Sequence, residues 1–199
     1  MPKITQLSQL DLNSTYNYAD YLTWYFPERV ELIKGKIMAM SPAPNVKHQG
    51  ISRNLTHYLS SFFYKKPCRF FYAPFDVRLY NRKKSLLMSR DIYTVVQPDL
   101  CVICTPELLD KQGCNGAPEW IIEILSKGNS KREMNIKYEL YAEAGVQEYW
   151  IVYPEQEAIH QFILNEQGQY LLKNMYADKT AQSHLFPDLV MDLSEVFAD

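Results

Sequence analysis

Two carboxylates and one lysine sit where their chemistry stands out. Glu123 lies inside the apolar run Trp120-Ile121-Ile122-Glu123-Ile124-Leu125, and a charge among residues that favour the interior is an informative exception. Burying a lone carboxylate is costly, so it demands a cation, a hydrogen-bond network or a raised pKa. Asp99 enters a second apolar run, Pro98 to Cys104. If the two runs are neighbouring strands, the carboxylates stand side by side. A divalent cation between them would relieve the repulsion, and oxygen donors suit Mg2+ or Mn2+. Lys137 lies three residues after Met134 and four before Tyr141, on or beside the inward stripe of a helix. An ammonium there could orient an attacking water and offset charge in a phosphoryl-transfer transition state. Plainer readings stand beside these. Each carboxylate can equally cap a loop or pair with an arginine, and Lys137 can bury its stem and keep its head in water.

The elements that would position these groups follow from periodicity. Tyr18, Tyr21, Leu22 and Tyr25 predict a helix from Tyr16 to Phe26, stopped by Pro27. Val30 to Ile33 and Lys36 to Met40 predict a hairpin turning at Lys34-Gly35, with Glu31 in its first strand. Past Pro42 and Pro44, Val46 to Tyr64 has a helical period. It sets His48 on the inward face with Ile51 and Leu55, and His57 nearly opposite, toward water. Arg69 to Tyr80 alternates as a strand, and Asn81 to Val96 reads as a polar loop. Pro98 to Cys104, Trp120 to Leu125 and Tyr149 to Tyr153 are near-continuous apolar runs, as central strands covered on both faces are. Lys131 to Ala144 predicts a helix, opened by a capping box at Ser130 to Glu133 and stopped at Gly145. Ile159 to Leu164 and Gln169 to Lys173 form a second hairpin, followed by a short closing helix near Ser194 to Phe197. The fold class is α/β (α+β), a mixed sheet flanked by helices. With 199 residues there is room for one such domain and little for two. Its expected parts are an N-terminal helix and hairpin over 14–41, a core over 46–153 and a C-terminal hairpin and tail over 157–199.

Composition narrows the function classes. Apolar residues make up 47% and charged residues 22% of the chain, ordinary for a soluble protein. No stretch approaches the roughly 20 continuous apolar residues of a membrane span. Met1 to Leu12 lacks the basic-then-apolar pattern of a signal peptide, so a cytoplasmic location is expected. Cys68, Cys101, Cys104 and Cys114 show no disulfide-framework spacing. Cys101 and Cys104, three apart on one strand, point to opposite faces and cannot grip one metal together. Both are read as core thiols. The net charge of −2 gives no global field toward nucleic acid, so any such contact must rest on a local patch.

The strand Pro98-Asp99, the strand Glu123-Ile124-Leu125-Ser126 and the helix with Lys137 and Tyr141 together resemble the PD-(D/E)XK nuclease superfamily. More closely, the chain resembles a large bacterial family classed with restriction endonucleases, of largely unknown function. Ala144-Gly145-Val146-Gln147-Glu148-Tyr149-Trp150, Glu31-Leu32-Ile33-Lys34-Gly35, His48, Pro74 to Leu79 and Gln97-Pro98-Asp99 fit the same pattern. The resemblance therefore spans nearly the whole chain. It implies a restriction endonuclease-like core with Asp99 and Glu123 as metal ligands. The superfamily's usual lysine would fall at Leu125, so the resemblance implies a lysine that has migrated to the helix at Lys137. It also places Glu31 and His48 near the carboxylates. Glu31 would complete the metal site or accept hydrogen bonds beside it. His48 would be a base, or a satisfied core histidine. Asp76 is either a further ligand or a salt-bridge partner of a nearby arginine. Lys127 and Glu133 stand where that family commonly has proline and aspartate.

Two function classes follow. A Mg2+- or Mn2+-dependent endonuclease would hydrolyse phosphodiester bonds in DNA. Asp99 and Glu123 would hold the metal, and Lys137 would assist the attacking water. Lys127, Lys131, Arg132, Lys83 and Lys84 would hold phosphates. A homodimer is expected, since many nucleases of this architecture cut both strands as dimers. Alternatively, a non-catalytic module would keep the scaffold and act through a protein or nucleic-acid partner, with 15 tyrosines available for interfaces. A Ser-His-Asp hydrolase ranks behind both, because no G-x-S-x-G elbow is present.

Overall fold

The computed structural model describes residues 3–25, 27–40, 45–80, 91–126 and 131–198. In chain order the first elements are α1 (Tyr18–Tyr21), β1 (Val30–Ile33), β2 (Lys36–Ala39), α2 (Val46–Phe63), β3 (Arg69–Tyr72) and β4 (Val77–Arg78). Then come β5 (Val95–Val96), β6 (Leu100–Ile103), β7 (Leu109–Asp110), β8 (Gly113–Asn115), β9 (Trp120–Ile124) and α3 (Lys131–Ala144). The chain closes with β10 (Glu148–Tyr153), β11 (Ala158–Leu164), β12 (Tyr170–Tyr176), β13 (Thr180–Gln182), β14 (Val190–Asp192) and α4 (Leu193–Val196).

These strands build two six-stranded mixed sheets and one small pair. The first sheet runs β12-β11-β10-β9-β6-β3, the second β2-β1-β5-β4-β8-β7, and β13 pairs with β14. β9 and β10 are parallel neighbours, a pairing that needs a crossover connection, and α3 lies between them in the chain. The apolar runs at β6, β9 and β10 are explained by cover on both faces. Leu100, Val102, Trp120, Ile122, Trp150 and Val152 pack in one core with Ile51, Leu55 and Leu59 of α2. The alternate residues Cys101, Ile103, Ile121, Tyr149 and Ile151 pack in another, with Leu140 and Tyr141 of α3 and Ile33, Val77 and Val96 of the second sheet. The first sheet is therefore sandwiched, with α2 on one face and α3 plus the second sheet on the other.

Several sequence expectations hold. The β1–β2 hairpin pairs Ile33 with Lys36, and Lys34 and Gly35 both have positive φ, 49° and 81°, as a tight two-residue turn requires. A Cβ on Gly35 would lie 2.4 Å from a Thr15 methyl, so the turn also needs glycine for space. His48 is buried and His57 exposed on α2, as their spacing predicts.

Other expectations need correction. The helix expected over Tyr16 to Phe26 is a single turn, Tyr18–Tyr21. Beyond it the backbone pairs with the N-terminal segment, Ile4 N–H donating to Thr23 and Tyr25 N–H donating to Ile4. Extended pairing thus wins over a weak helical period. The single strand expected over Arg69 to Tyr80 is two strands in different sheets, β3 against β6 and β4 against β5 and β8. Alternation continued through the crossing, but Pro74 has no N–H to give a ladder. The loop expected up to Val96 ends in β5, and Ile92 is buried in a cluster with Tyr18, Leu32 and Val95. Its residues 81–90, and Ser130 of the expected capping box, lie outside the described residues. Cys101 is a buried free thiol, but Cys104 is disulfide-bonded to Cys68. Cys101 and Cys104 do face opposite cores, and the antiparallel β3–β6 pairing, with Arg69 opposite Ile103, sets Cys68 across from Cys104.

Candidate active site

The site forms where β6 begins and β9 ends. The two strands are antiparallel, with Leu100 opposite Ile122, and one further step sets Asp99 opposite Glu123. Asp99 Oδ2 accepts the Ile124 N–H at 2.8 Å and lies 3.4 Å from His48 Nε2. Glu123 faces α3, where its Oε1 accepts from Lys137 Nζ at 2.8 Å and from the Tyr141 hydroxyl at 2.6 Å. Lys137 and Tyr141 are four apart on a helix and so share one face. Glu31 arrives from the second sheet. Its Oε1 accepts from Lys137 Nζ at 3.0 Å and from the Gln97 N–H at 2.9 Å. His48 comes from the first turn of α2, where Asn45 caps the helix by accepting the His48 N–H.

Electrostatics follow from this burial. Glu123 is pushed up to about 7, chiefly by desolvation and further by the Asp99 and Glu31 charges, against the pull of Lys137. For Lys137, burial opposes the charge, but Glu123 and Glu31 outweigh it and hold the ammonium well above its ordinary range. For His48, burial likewise lowers the pKa, and the Asp99 hydrogen bond and charge reverse the sign. Burial and the neighbouring carboxylates drive the Tyr141 phenol far up, leaving it a neutral donor.

Glu31, His48, Asp99, Glu123 and Lys137 are thus brought together. Asp76 joins at one remove, its Oδ1 accepting from Gln97 Nε2 at 2.9 Å and from the Tyr21 hydroxyl at 3.4 Å. The arginine pairing considered for Asp76 is made instead by Asp110, 2.6 Å from Arg78. Lys131 and Arg132 are exposed at the start of α3, while Lys127, Lys83 and Lys84 lie outside the described residues. Sequence reasoning missed two members. Tyr141, on the inward stripe and in the family motif, and Gln97, in a motif, carry no role of their own in the sequence, yet one holds Glu123 and the other links Glu31 to Asp76. A tyrosine one turn from the lysine was the available signal.

The donor set can be tested against Mg2+ or Mn2+. Asp99 Oδ1 and Glu123 Oε2 make no hydrogen bond among the described residues, so each carboxylate keeps a hard oxygen to offer. No group of three His, Cys, Asp or Glu converges on one point among the described residues. A cation here would have Asp99 and Glu123 as its ligands from these residues, with water and substrate phosphate making up the rest.

The Uma2 family, described as "Putative restriction endonuclease", matches residues 18–194. The chain belongs to this family. The Uma2 protein also resembles a solved structure, a "putative nuclease belonging to DUF820" from Anabaena variabilis ATCC 29413. Identity is 19% and the TM-score 0.69, over 92% of this chain and 98% of that one. At that identity the likeness speaks for the fold, a restriction endonuclease-like core. No curated protein matches the chain. Within the Uma2 match, Glu148 is buried more deeply than Glu123 and differs in kind. Its oxygens accept from Trp150 Nε1, Gln161 Nε2, the Ser183 hydroxyl and the backbone of His184 and Leu185. Glu148 is saturated and ties down the C-terminal segment, whereas Glu123 has an oxygen to spare.

Proposed function

We propose that this Uma2 protein is a Mg2+- or Mn2+-dependent endonuclease that hydrolyses phosphodiester bonds in DNA. The opposition of Asp99 and Glu123, each with a spare oxygen and with Lys137 beside them, carries the proposal. Asp99 and Glu123 would hold the cation. When bound, it supplies Lewis-acid polarisation of the reacting phosphate. Lys137 stays protonated at any working pH and turns its ammonium toward the attacking water and the phosphate charge. Tyr141 fixes the orientation of Glu123, and His48 orients Asp99 through its Nε2. Lys127, Lys131, Arg132, Lys83 and Lys84 are proposed to meet DNA phosphates. A homodimer and a cytoplasmic setting belong to the same proposal. No helix among the described residues is long and apolar enough to cross a membrane.

The test is cleavage. The wild type should nick DNA in Mn2+, and Glu123→Gln or Asp99→Asn should lose about 100-fold or more. Failure to cut any nucleic acid with either metal overturns the proposal. One observation favours a second reading, a non-catalytic binding module: Lys137 forms ion pairs with both Glu31 and Glu123, as a purely structural lysine would. Calorimetry that finds no Mn2+ binding to the wild type would support that module instead.

A further inference from the structure

Beside the carboxylates the two sheets end next to each other. β3 is the last strand of the first sheet and β7 that of the second. Between them lies an open cleft of about 400 Å³. Phe71 and Phe75 line it as a stacked pair, ring centroids 4.2 Å apart and planes 8° from parallel. Arg69 of β3 and Lys111 of the β7–β8 turn line it too, and both are exposed. Neither makes an ion pair among the described residues. The Arg69 guanidinium lies 5.5 Å from the Phe71 ring centre. Asp110 also lines the cleft, but its charge is matched by Arg78 at 2.6 Å. At the inner end stand Asp76 and Gln97, and Gln97 donates its N–H to Glu31 of the carboxylate cluster.

We infer that this cleft receives one unpaired nucleotide of a DNA strand, its base against the Phe71–Phe75 pair and its phosphate between Arg69 and Lys111. The inference rests on the nuclease reading above and names the form of its substrate. An aromatic platform flanked by cations is the combination that holds single strands, because every base has a face to stack and every nucleotide a charge. A duplex keeps its bases stacked inside and must open before one can enter. A cleft of this size admits a base and its sugar, not a paired helix. The link through Gln97 joins this cleft to the carboxylates, so a strand seated here leads its backbone toward Asp99 and Glu123.

The experiment is fluorescence anisotropy in EDTA, where nothing is cut, with a short labelled single strand and its matching duplex. The wild type should bind the single strand roughly tenfold or more tightly than the duplex. Phe71→Ala should weaken that binding about 5- to 100-fold, the range expected for losing one stacked base, and Phe71→Trp should keep it. Arg69→Gln, an exposed change that leaves the core alone, should weaken it and flatten its salt dependence by about one ion. Duplex bound as tightly as single strand, or no binding of either, overturns the inference. So does wild-type affinity in both Phe71→Ala and Arg69→Gln. The nuclease reading falls separately: strand binding that responds to Phe71 without Mn2+-dependent cleavage overturns catalysis and leaves the cleft as a strand-binding site.

Discussion

Glu123 and Lys137 set each other's charge. In the metal-free protein the folded pKa of Glu123, about 7, lies above its ordinary value of 4.5. The folded state therefore binds this proton more tightly than the unfolded chain does. The stability it gives is full below about pH 4.5 and is lost as the pH rises through 7. Urea unfolding in EDTA should show this fall, of roughly 1–3 kcal/mol, and Glu123→Gln should flatten it. Parallel curves for the two proteins would sink the assignment. Lys137→Met removes the only ammonium touching both glutamates among the described residues. Leaving buried carboxylates without their cation should cost about 3–5 kcal/mol, read as a lower urea midpoint at pH 8. Much of this chemistry was legible in the sequence, because Glu123 interrupts a run of isoleucines and no polar neighbour explains it. Glu148 gave no such warning. It stands at a strand's first residue, where a charge is unremarkable, and three of its five donors belong to Ser183, His184 and Leu185, far along the chain.

At the scale of elements, long apolar runs and long amphipathic helices were readable because their packing repeats along the chain. α2, β6, β9, α3, β10 and the β11–β12 hairpin all lie where periodicity sets them. Short strands were not readable. β4, β5 and β7 have two residues each, too few to display any period, and only their partners across the sheet define them. Beyond the β1–β2 hairpin the second sheet was therefore invisible, and with it the route by which Glu31 reaches Lys137. The Cys68–Cys104 bond was hidden for the same reason, since it joins the ends of two elements 36 residues apart. Closing a loop of that length should contribute about 2–4 kcal/mol. Cys68→Ser/Cys104→Ser should lower the urea midpoint accordingly under non-reducing conditions, and reductant should lower the wild type to match it. An intact-mass measurement that finds four free thiols would remove this tie.

For the whole molecule, the carboxylate cluster lies on the seam between the sheets, with Asp99 and Glu123 from one and Glu31 from the other. Any ligand that grips the assembled cluster binds the folded state alone, so its affinity adds to global stability. Mn2+ at a hundred times its dissociation constant should add about 2.7 kcal/mol, a rise of several degrees in the melting temperature that Glu123→Ala should abolish. A nucleic acid bound by the folded protein alone adds to stability in the same way. What sets the seam apart is its clasp: one ammonium ties α3 to both sheets through Glu31 and Glu123, and the same ammonium is the one proposed to face the phosphate. The grip between the sheets and the speed of the proposed reaction would then draw on a single charge.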